Sequence, residues 1–340
     1  YLGLSRSERL TEKARQFMDQ YAAGATASRL ICGNYECFET VEQTLAGLKQ
    51  TPSALILNAG FQANATVIPA LCDRQTRIFS DQLNHNSIIN GCRLARCSLE
   101  PFAHNDLTDL ESRLKDAGQE NASRRVIVTE TVFSMDGDIC DLDGLIDLAD
   151  RDDAILIVDE AHATGVISAR GMGAACGKPV DVVIGTFGKS GGSFGAYVAC
   201  TEDMRQYLIN CCPGFIYSTA LPPAVVGEIA AALELIPDMD EERRQLHDNA
   251  DYLRDRLSAM ALSTGDSATQ IIPVIVGAEE KALAMSRWLE SQGFLVVAIR
   301  PPTVPSGKSR LRISLSALHT RAEVAALADA IEQWQQKEGG

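Results

Sequence analysis

No apolar run in the chain approaches the eighteen or more residues that a membrane-spanning helix needs, and no charged-then-apolar leader opens it. Neither a bilayer span nor a secretory signal is expected, and the cytoplasm is the expected compartment. Basic residues are in deficit: 31 Lys and Arg against 45 Asp and Glu leave a net charge of −14. That balance argues against a nucleic-acid-binding surface and for small polar partners. None of the ten cysteines stands in Cys-x-x-Cys spacing and the five histidines show no close metal-binding spacing, so no metal centre is expected. Cys72, Cys140 and Cys200 sit in or beside apolar segments and read as buried reduced thiols, while the adjacent Cys211 and Cys212 are awkwardly placed for an ordinary disulfide. His104, His247 and His319 read as structural or surface residues. An initiator methionine is lacking too. The chain opens Tyr1-Leu-Gly-Leu4, and an N-terminal piece is expected to have been lost.

What the chain does have is length and apolar content. Its 340 residues, 46% hydrophobic, suffice for a large core and for two domains. Two short β-branched runs, Ile155 to Val158 and Val180 to Ile184, have the composition of strands buried on both faces. They stop at Asp159-Glu-Ala-His162 and Gly185-Thr-Phe-Gly-Lys189. In an open α/β sheet ligands bind at the carboxyl ends of parallel strands, so Asp159, His162, Thr186 and Lys189 are expected to converge on one crevice.

Two chemistries compete for that crevice. An acidic motif after a strand, with Gly188-Lys189-Ser190, has the outline of a P-loop nucleotide hydrolase. The loop, however, needs a glycine five positions before Gly188, where Val183 stands, and it should precede the acidic strand rather than follow it. The other chemistry is that of pyridoxal phosphate (PLP), which needs a lysine for a Schiff base and an acid to pair with its pyridinium nitrogen. Lys189 and Asp159 have those groups. Taken singly, an Asp after a strand caps the next helix and a lysine among glycines is solvated; the combination argues otherwise.

Along the chain, helices are expected over Ser5 to Tyr21, Glu36 to Lys49, Gln62 to Leu71, Asn84 to Arg96 and Leu107 to Ala117, with strands at Ser53 to Leu57, Arg77 to Ser80 and Arg125 to Thr129. This alternation implies a parallel α/β sheet. Asn58-Ala-Gly-Phe-Gln62 makes a strand-to-helix turn whose free N–H groups suit a phosphate. His85 follows a strand, where a cap or core role is the ordinary reading and stacking on a pyridine ring the functional one. Ser134 is the notable polar group of Glu130 to Asp138. Gly191, Gly192 and Gly195 lead into a strand at Ala196 to Cys200, with small residues that let backbone approach a ligand. A helix from Ala224 to Ile236 ends at Pro237, and the charged run Asp238 to Arg244 marks a boundary between a large domain (1–237) and a small α+β domain (238–340). The small domain is expected to hold strands at Gln270 to Val276, Leu295 to Ile299 and Arg310 to Ser316, with helices at Glu279 to Gln292 and Arg321 to Gln335. The proline-rich loop after Arg300 fixes where Arg300 and Thr303 point. Alternation puts Arg310, Arg312 and Ser314 on one strand face, solvated in the simplest reading, although arginine there also suits a carboxylate.

These residues carry a family resemblance. Tyr1-Leu-Gly-Leu4, Asn84-His-Asn-Ser87, Phe133-Ser-Met-Asp-Gly-Asp138, Val158-Asp-Glu-Ala-His162 and Gly185-Thr-Phe-Gly-Lys189, in this order, resemble the α-oxoamine synthases from Tyr1 to Gln335. These are fold-type I PLP enzymes that join an amino acid to an acyl-CoA with loss of carbon dioxide. The resemblance implies an α/β fold, a large domain with a mostly parallel central sheet and a small C-terminal α+β domain. It implies a homodimer with shared active sites. Lys189 would be the Schiff-base lysine, Asp159 the partner of the pyridine nitrogen, His85 the stacking group and His162 the partner of the phenolic oxygen. Gly60, Phe61, Ser134 and Thr186 would help to hold the cofactor, Ser218 and Thr219 would reach its phosphate from the neighbouring subunit, and Arg300 or Arg312 would hold the substrate carboxylate, with Thr303 beside them. Ile299-Arg-Pro-Pro-Thr-Val-Pro305 and Arg310-Leu-Arg-Ile-Ser-Leu-Ser316 look most like the branch that condenses L-alanine with a pimeloyl thioester in biotin formation. Sister activities using glycine or serine share the same catalytic set, and a non-catalytic homologue would share the fold. Two departures stand out: Phe38 where many relatives carry histidine, and the missing start, whose counterpart shapes the acyl-CoA end of the site and whose loss implies impaired activity.

Overall fold

The computed structural model describes residues 1–116 and 124–338. Its contacts divide them into two units, Gly3–Val132 with Cys140–Met239, and Tyr1–Leu2 with Phe133–Ile139 and the chain from Asp240 on.

The larger unit is built on seven strands: β1 (Ser53–Leu57), β2 (Arg77–Asp81), β3 (Ser98–Phe102), β4 (Arg125–Glu130), β5 (Ala154–Asp159), β6 (Val182–Thr186) and β7 (Ala196–Cys200). They lie in the order β1-β7-β6-β5-β4-β2-β3. Pairs from β6 through β3 are parallel, while β7 runs antiparallel to both β1 and β6. The expected α/β class with a mostly parallel sheet is therefore what the chain adopts. Its helices are α1 (Glu8–Gln20), α2 (Glu36–Lys49), α3 (Gly60–Ala70), α4 (Asn86–Leu94), α5 (Leu107–Asp116), α6 (Leu142–Arg151), α7 (Glu202–Cys211), α8 (Pro213–Ile216) and α9 (Pro223–Leu235). The last residue expected for α5, Ala117, lies outside the described residues.

Period-two alternation sorts the strands into two buried faces. Leu55, Leu57, Ile78, Val126, Val128, Ile157, Ile184 and Val198 form one core with Ala63, Val67 and Ile68 of α3 and Ile88 of α4. On the other face α2 packs against β1 and β7 through an apolar stripe that includes Phe38, Val41 and Leu45. Phe38 is itself almost fully buried, so the residue that departs from many relatives is a core residue here. Strand β3 has no counterpart in the sequence reading, because Ser-Leu-Glu-Pro-Phe is half-exposed and interrupted by Pro101. Those are properties of an edge strand, and β3 is one.

The smaller unit holds α10 (Asp240–Ala259), β8 (Ile271–Gly277), α11 (Glu279–Ser291), β9 (Val297–Ile299), β10 (Ser309–Ser314) and α12 (Arg321–Glu338). Its sheet, β8-β10-β9, is antiparallel. The charged residues from Asp240 to Arg244 are the opening turns of α10, with acids at its N-terminus where the helix dipole favours them. The Phe133–Ile139 segment belongs to this unit because Gly137 is threaded beneath β8. The Gly137 carbonyl accepts from Ala268 N at 3.0 Å and Thr269 Oγ1 at 2.9 Å. A Cβ at Gly137, where φ is +70°, would meet the Ile271 carbonyl at 2.0 Å, so glycine is required.

Candidate active site

The carboxyl ends of β4, β5 and β6, with the N-termini of α3 and α4, enclose a cavity of about 200 Å3. It is lined by Gly60, Phe61, Asn64, His85, Ser87, Glu130, Asp159, Ala161, His162, Thr186 and Lys189. The sequence placed four of these groups at two strand ends, and all four meet here. Their convergence follows from the sheet: parallel neighbours end at the same edge, and the chain leaves each strand as loop or helix.

Lys189 Nζ stands 2.7 Å from His162 Nε2. His162 is 6% exposed and Lys189 half-buried, so the amine meets the cavity with an imidazole at its side. Asp159, also 6% exposed, is fixed at both oxygens. Oδ2 accepts from Asn64 Nδ2 at 2.6 Å and Oδ1 from Ala161 N at 2.7 Å. Thr186 Oγ1 donates to the Gly195 carbonyl at 2.9 Å and accepts from Gly188 N at 3.1 Å, which pins the loop that carries Lys189. That second bond occupies Gly188 N–H, so Gly188-Lys189-Ser190 is not arranged as a phosphate loop.

His85 combines the two roles weighed for it. It is the N-cap of α4, its Nδ1 accepting from Ser87 N at 3.2 Å, and it lines the cavity. That acceptor role leaves the ring proton of the neutral form on Nε2. Desolvation pulls the imidazole below its ordinary value and Lys189 adds to the effect, while Asp159 opposes it. In a selectively 15N-histidine-labelled sample His85 is expected to titrate below 6.5, the ordinary value; an inflection above it would contradict this environment.

Gly60 and Phe61 open α3, whose first backbone N–H groups lack intrahelical acceptors. A Cβ at Gly60 would meet only the Thr186 side chain, at 3.6 Å, so this glycine is not demanded by the chain's own packing. Gly192 is the reverse case: φ is +66° and a Cβ would meet Ser5 N at 2.3 Å. The glycines after Lys189, read from sequence as room for a ligand, serve at this position to admit the chain's own Leu4–Ser5 backbone.

Other expected site residues lie elsewhere. Ser218 and Thr219 do not line the cavity. Gln62 Nε2 donates to Ser218 Oγ at 2.5 Å, and Asn58 Nδ2 to the Thr219 carbonyl at 2.7 Å. Ser134, Arg300, Thr303 and Arg312 belong to the smaller unit. There Arg312 Nε donates to the Ser134 carbonyl at 2.5 Å and Nη1 to Ser314 Oγ at 2.6 Å. Arg300 and Thr303 are exposed, with Thr303 N donating to the Arg300 carbonyl at 3.0 Å. The solvated reading of Arg310 is corrected: it is 4% exposed and paired with Asp136. Asn64, Ser87 and Glu130 line the cavity without having been singled out from sequence. Glu130 could have been, since it ends a buried β-branched strand as Asp159 does.

The family model described as aminotransferase class I and II matches residues 1–331. A protein of Desulfosudis oleivorans, provisionally named 8-amino-7-oxononanoate synthase, is 62% identical over 334 residues, covering 98% of this chain and 87% of that one. Among solved structures, a serine palmitoyltransferase carrying PLP aligns with TM-score 0.94 and 29% identity, over all of this chain and 86% of that one. The 8-amino-7-oxononanoate synthase of Francisella tularensis aligns with TM-score 0.85 and 27% identity, over all of this chain and 97% of that one. With the fold, the strand-end lysine and carboxylate and these likenesses in agreement, the chain belongs to the class I and II aminotransferase family, as an α-oxoamine synthase of fold type I.

Proposed function

We propose that this enzyme condenses L-alanine with pimeloyl-CoA, or with a pimeloyl carrier protein, to give 8-amino-7-oxononanoate, the free thiol and carbon dioxide. The observation that carries the reading is the pairing of Lys189 with His162 at 2.7 Å in the cavity where Asp159 is held by Asn64 and Ala161 N–H. The cofactor is PLP, and the donor set fits it: an amine for its aldehyde carbon, a carboxylate for its ring nitrogen, an imidazole for its phenolic oxygen and a helix N-terminus for its phosphate. Lys189, Asp159, His162 and the α3 residues Gly60 and Phe61 would hold these in turn, with His85 against the ring and Thr186 and Ser134 contributing. Bound PLP supplies an electron sink for charge developing at the amino-acid Cα. Lys189 Nζ takes the Cα proton and returns it after carbon dioxide has left, and the adjacent His162 keeps that amine oriented. Arg312 or Arg300 receives the substrate carboxylate through guanidinium N–H groups. The working unit is a homodimer in which Ser218 and Thr219 serve the neighbouring subunit's phosphate site.

The choice of L-alanine and a pimeloyl thioester rests on the Ile299–Pro305 and Arg310–Ser316 motifs and on the Desulfosudis and Francisella likenesses. A serine- or glycine-using reading draws on the higher TM-score to serine palmitoyltransferase, 0.94 against 0.85. Release of thiol from pimeloyl-CoA, measured in turn with L-alanine, glycine and L-serine, separates the two. The L-alanine rate is expected to exceed the others by about tenfold or more, because one methyl or hydroxyl in a fitted pocket is worth that much. A preference for glycine or serine would overturn the substrate assignment, and thiol release with none of them would remove the catalytic one.

A further inference from the structure

Glu130 is the one acid lining the cavity that the mechanism above does not use. It ends β4 and is register partner to Asp159 on the parallel neighbour β5, so the two side chains leave the same face of adjacent strands, about 5 Å apart at the backbone. They are provided for differently. Both Asp159 oxygens accept N–H donors, from Asn64 and Ala161. Glu130 is 2% exposed, and its Oε1 accepts one donor, the backbone N–H of His85, at 2.6 Å. That N–H opens α4, and the ring of the same residue is fastened through Nδ1 to Ser87. His85 is thus tied at two points, one of them Glu130.

We infer that Glu130 is a positioning residue for the reaction proposed above: by holding the His85 backbone N–H, it sets where the His85 ring stands in the cavity. The groups facing it are Asp159, Asp81, Lys189 and His85. Burial pushes the Glu130 carboxyl well above the ordinary carboxylate range, and the negative charge of Asp159 adds to this. That direction favours the protonated form of Glu130, whose carbonyl oxygen still accepts the His85 N–H. The inference depends on the PLP reading only for its catalytic consequence; the tether to His85 is a property of the chain alone.

The test uses the full chain with Glu130→Ala and Glu130→Gln, first without substrate. Glutamine is uncharged and keeps the acceptor oxygen, whereas alanine removes it. Amide hydrogen exchange at His85, followed in 15N-histidine-labelled protein, is expected to quicken by about ten- to a hundredfold in Glu130→Ala, the effect of losing one buried hydrogen bond, and to slow again by at least about fivefold in Glu130→Gln. In the PLP-loaded enzyme kcat with L-alanine should fall by about the same factor in Glu130→Ala, with KM little changed. Glu130→Gln should recover most of that loss without moving the pH profile. Unchanged His85 exchange in Glu130→Ala, or a Glu130→Gln variant as impaired as alanine with a shifted pH profile, would overturn the inference. A wild-type protein that turns over no amino acid while the exchange results hold would instead count against the functional reading.

Discussion

Replacing Lys189 with alanine is expected to lower kcat by about 10²–10⁴-fold from lost proton transfer alone, while the fold persists. The fold should persist because Lys189 is half-buried at the end of a pinned loop and lies in no core cluster. Activity should collapse because its amine is the cavity-lining group suited both to bind a carbonyl carbon and to shuttle a proton. Two readouts separate this from general damage. Borohydride reduction of the PLP-loaded wild type, followed by digestion, should leave the cofactor on the peptide bearing Lys189, and the variant should retain none covalently. A small primary amine added to the variant should restore part of the rate by supplying the missing base, which it could not do for a misfolded protein. Recovery of reduced cofactor on a different lysine would remove Lys189 from its role, and Asp159 and His162 would then need another explanation for their convergence.

Lys189 and Asp159 were legible because both follow short β-branched runs, and in a parallel sheet the end of such a run is a place as well as a boundary. Glu130 follows an equally clear run, Arg-Val-Ile-Val-Thr-Glu. The Phe133–Asp138 motif just after that run, with Ser134 in it, is the more conspicuous signal and masks the acid that ends the strand. Asn64 was out of reach. A polar residue in a helix's first turns is usually solvated, and only the packing of α3 against the sheet carries its amide to Asp159. Arg310 shows a different limit. Alternation tells which residues share a strand face and says nothing about what that face meets; here it meets Asp136, 174 positions earlier. Edge strand β3 was lost for the opposite reason, since an exposed strand with a proline has no apolar signature. Gly137 was visible as part of Phe-Ser-Met-Asp-Gly-Asp, but its cause, the Ile271 carbonyl beneath it, is tertiary.

Lys49→Met is expected to destabilise the protein by roughly 3–5 kcal/mol, the usual cost of stripping one partner from a buried ion pair. Lys49 closes α2 at 1% exposure and Glu160, the residue after Asp159, is fully buried. Lys49 Nζ donates to Glu160 Oε2 at 2.6 Å, to the Met172 carbonyl at 2.6 Å and to Thr164 Oγ1 at 3.3 Å, and lies 4.9 Å from the centre of the Tyr197 ring. Burial alone would pull the lysine down, but Glu160 and Tyr197 together outweigh it and hold the ammonium above its ordinary range. Burial pushes the Tyr197 hydroxyl up to about 12, so it remains a neutral partner of Thr164 at 2.6 Å. Removing the lysine therefore leaves a fully buried carboxylate stripped of its paired ammonium. Glu160 Oε1 also accepts from Ala175 N at 2.7 Å, so a hydrophobic replacement on that side would orphan a second group. Glutamine keeps that acceptor and sheds the charge. The double variant Lys49→Met with Glu160→Gln should therefore be more stable than the single Lys49→Met by about 0.5–3 kcal/mol, the range of coupling between contacting residues. Urea unfolding at constant m-value measures both quantities. A double variant no more stable than the single would mean that the cost lies in the lost packing of the lysine stem and in the Met172 carbonyl. The turn from Asp159 to Thr164 would then owe its position to the backbone bond from Glu160 N to the Ile184 carbonyl, at 2.7 Å, rather than to the ion pair.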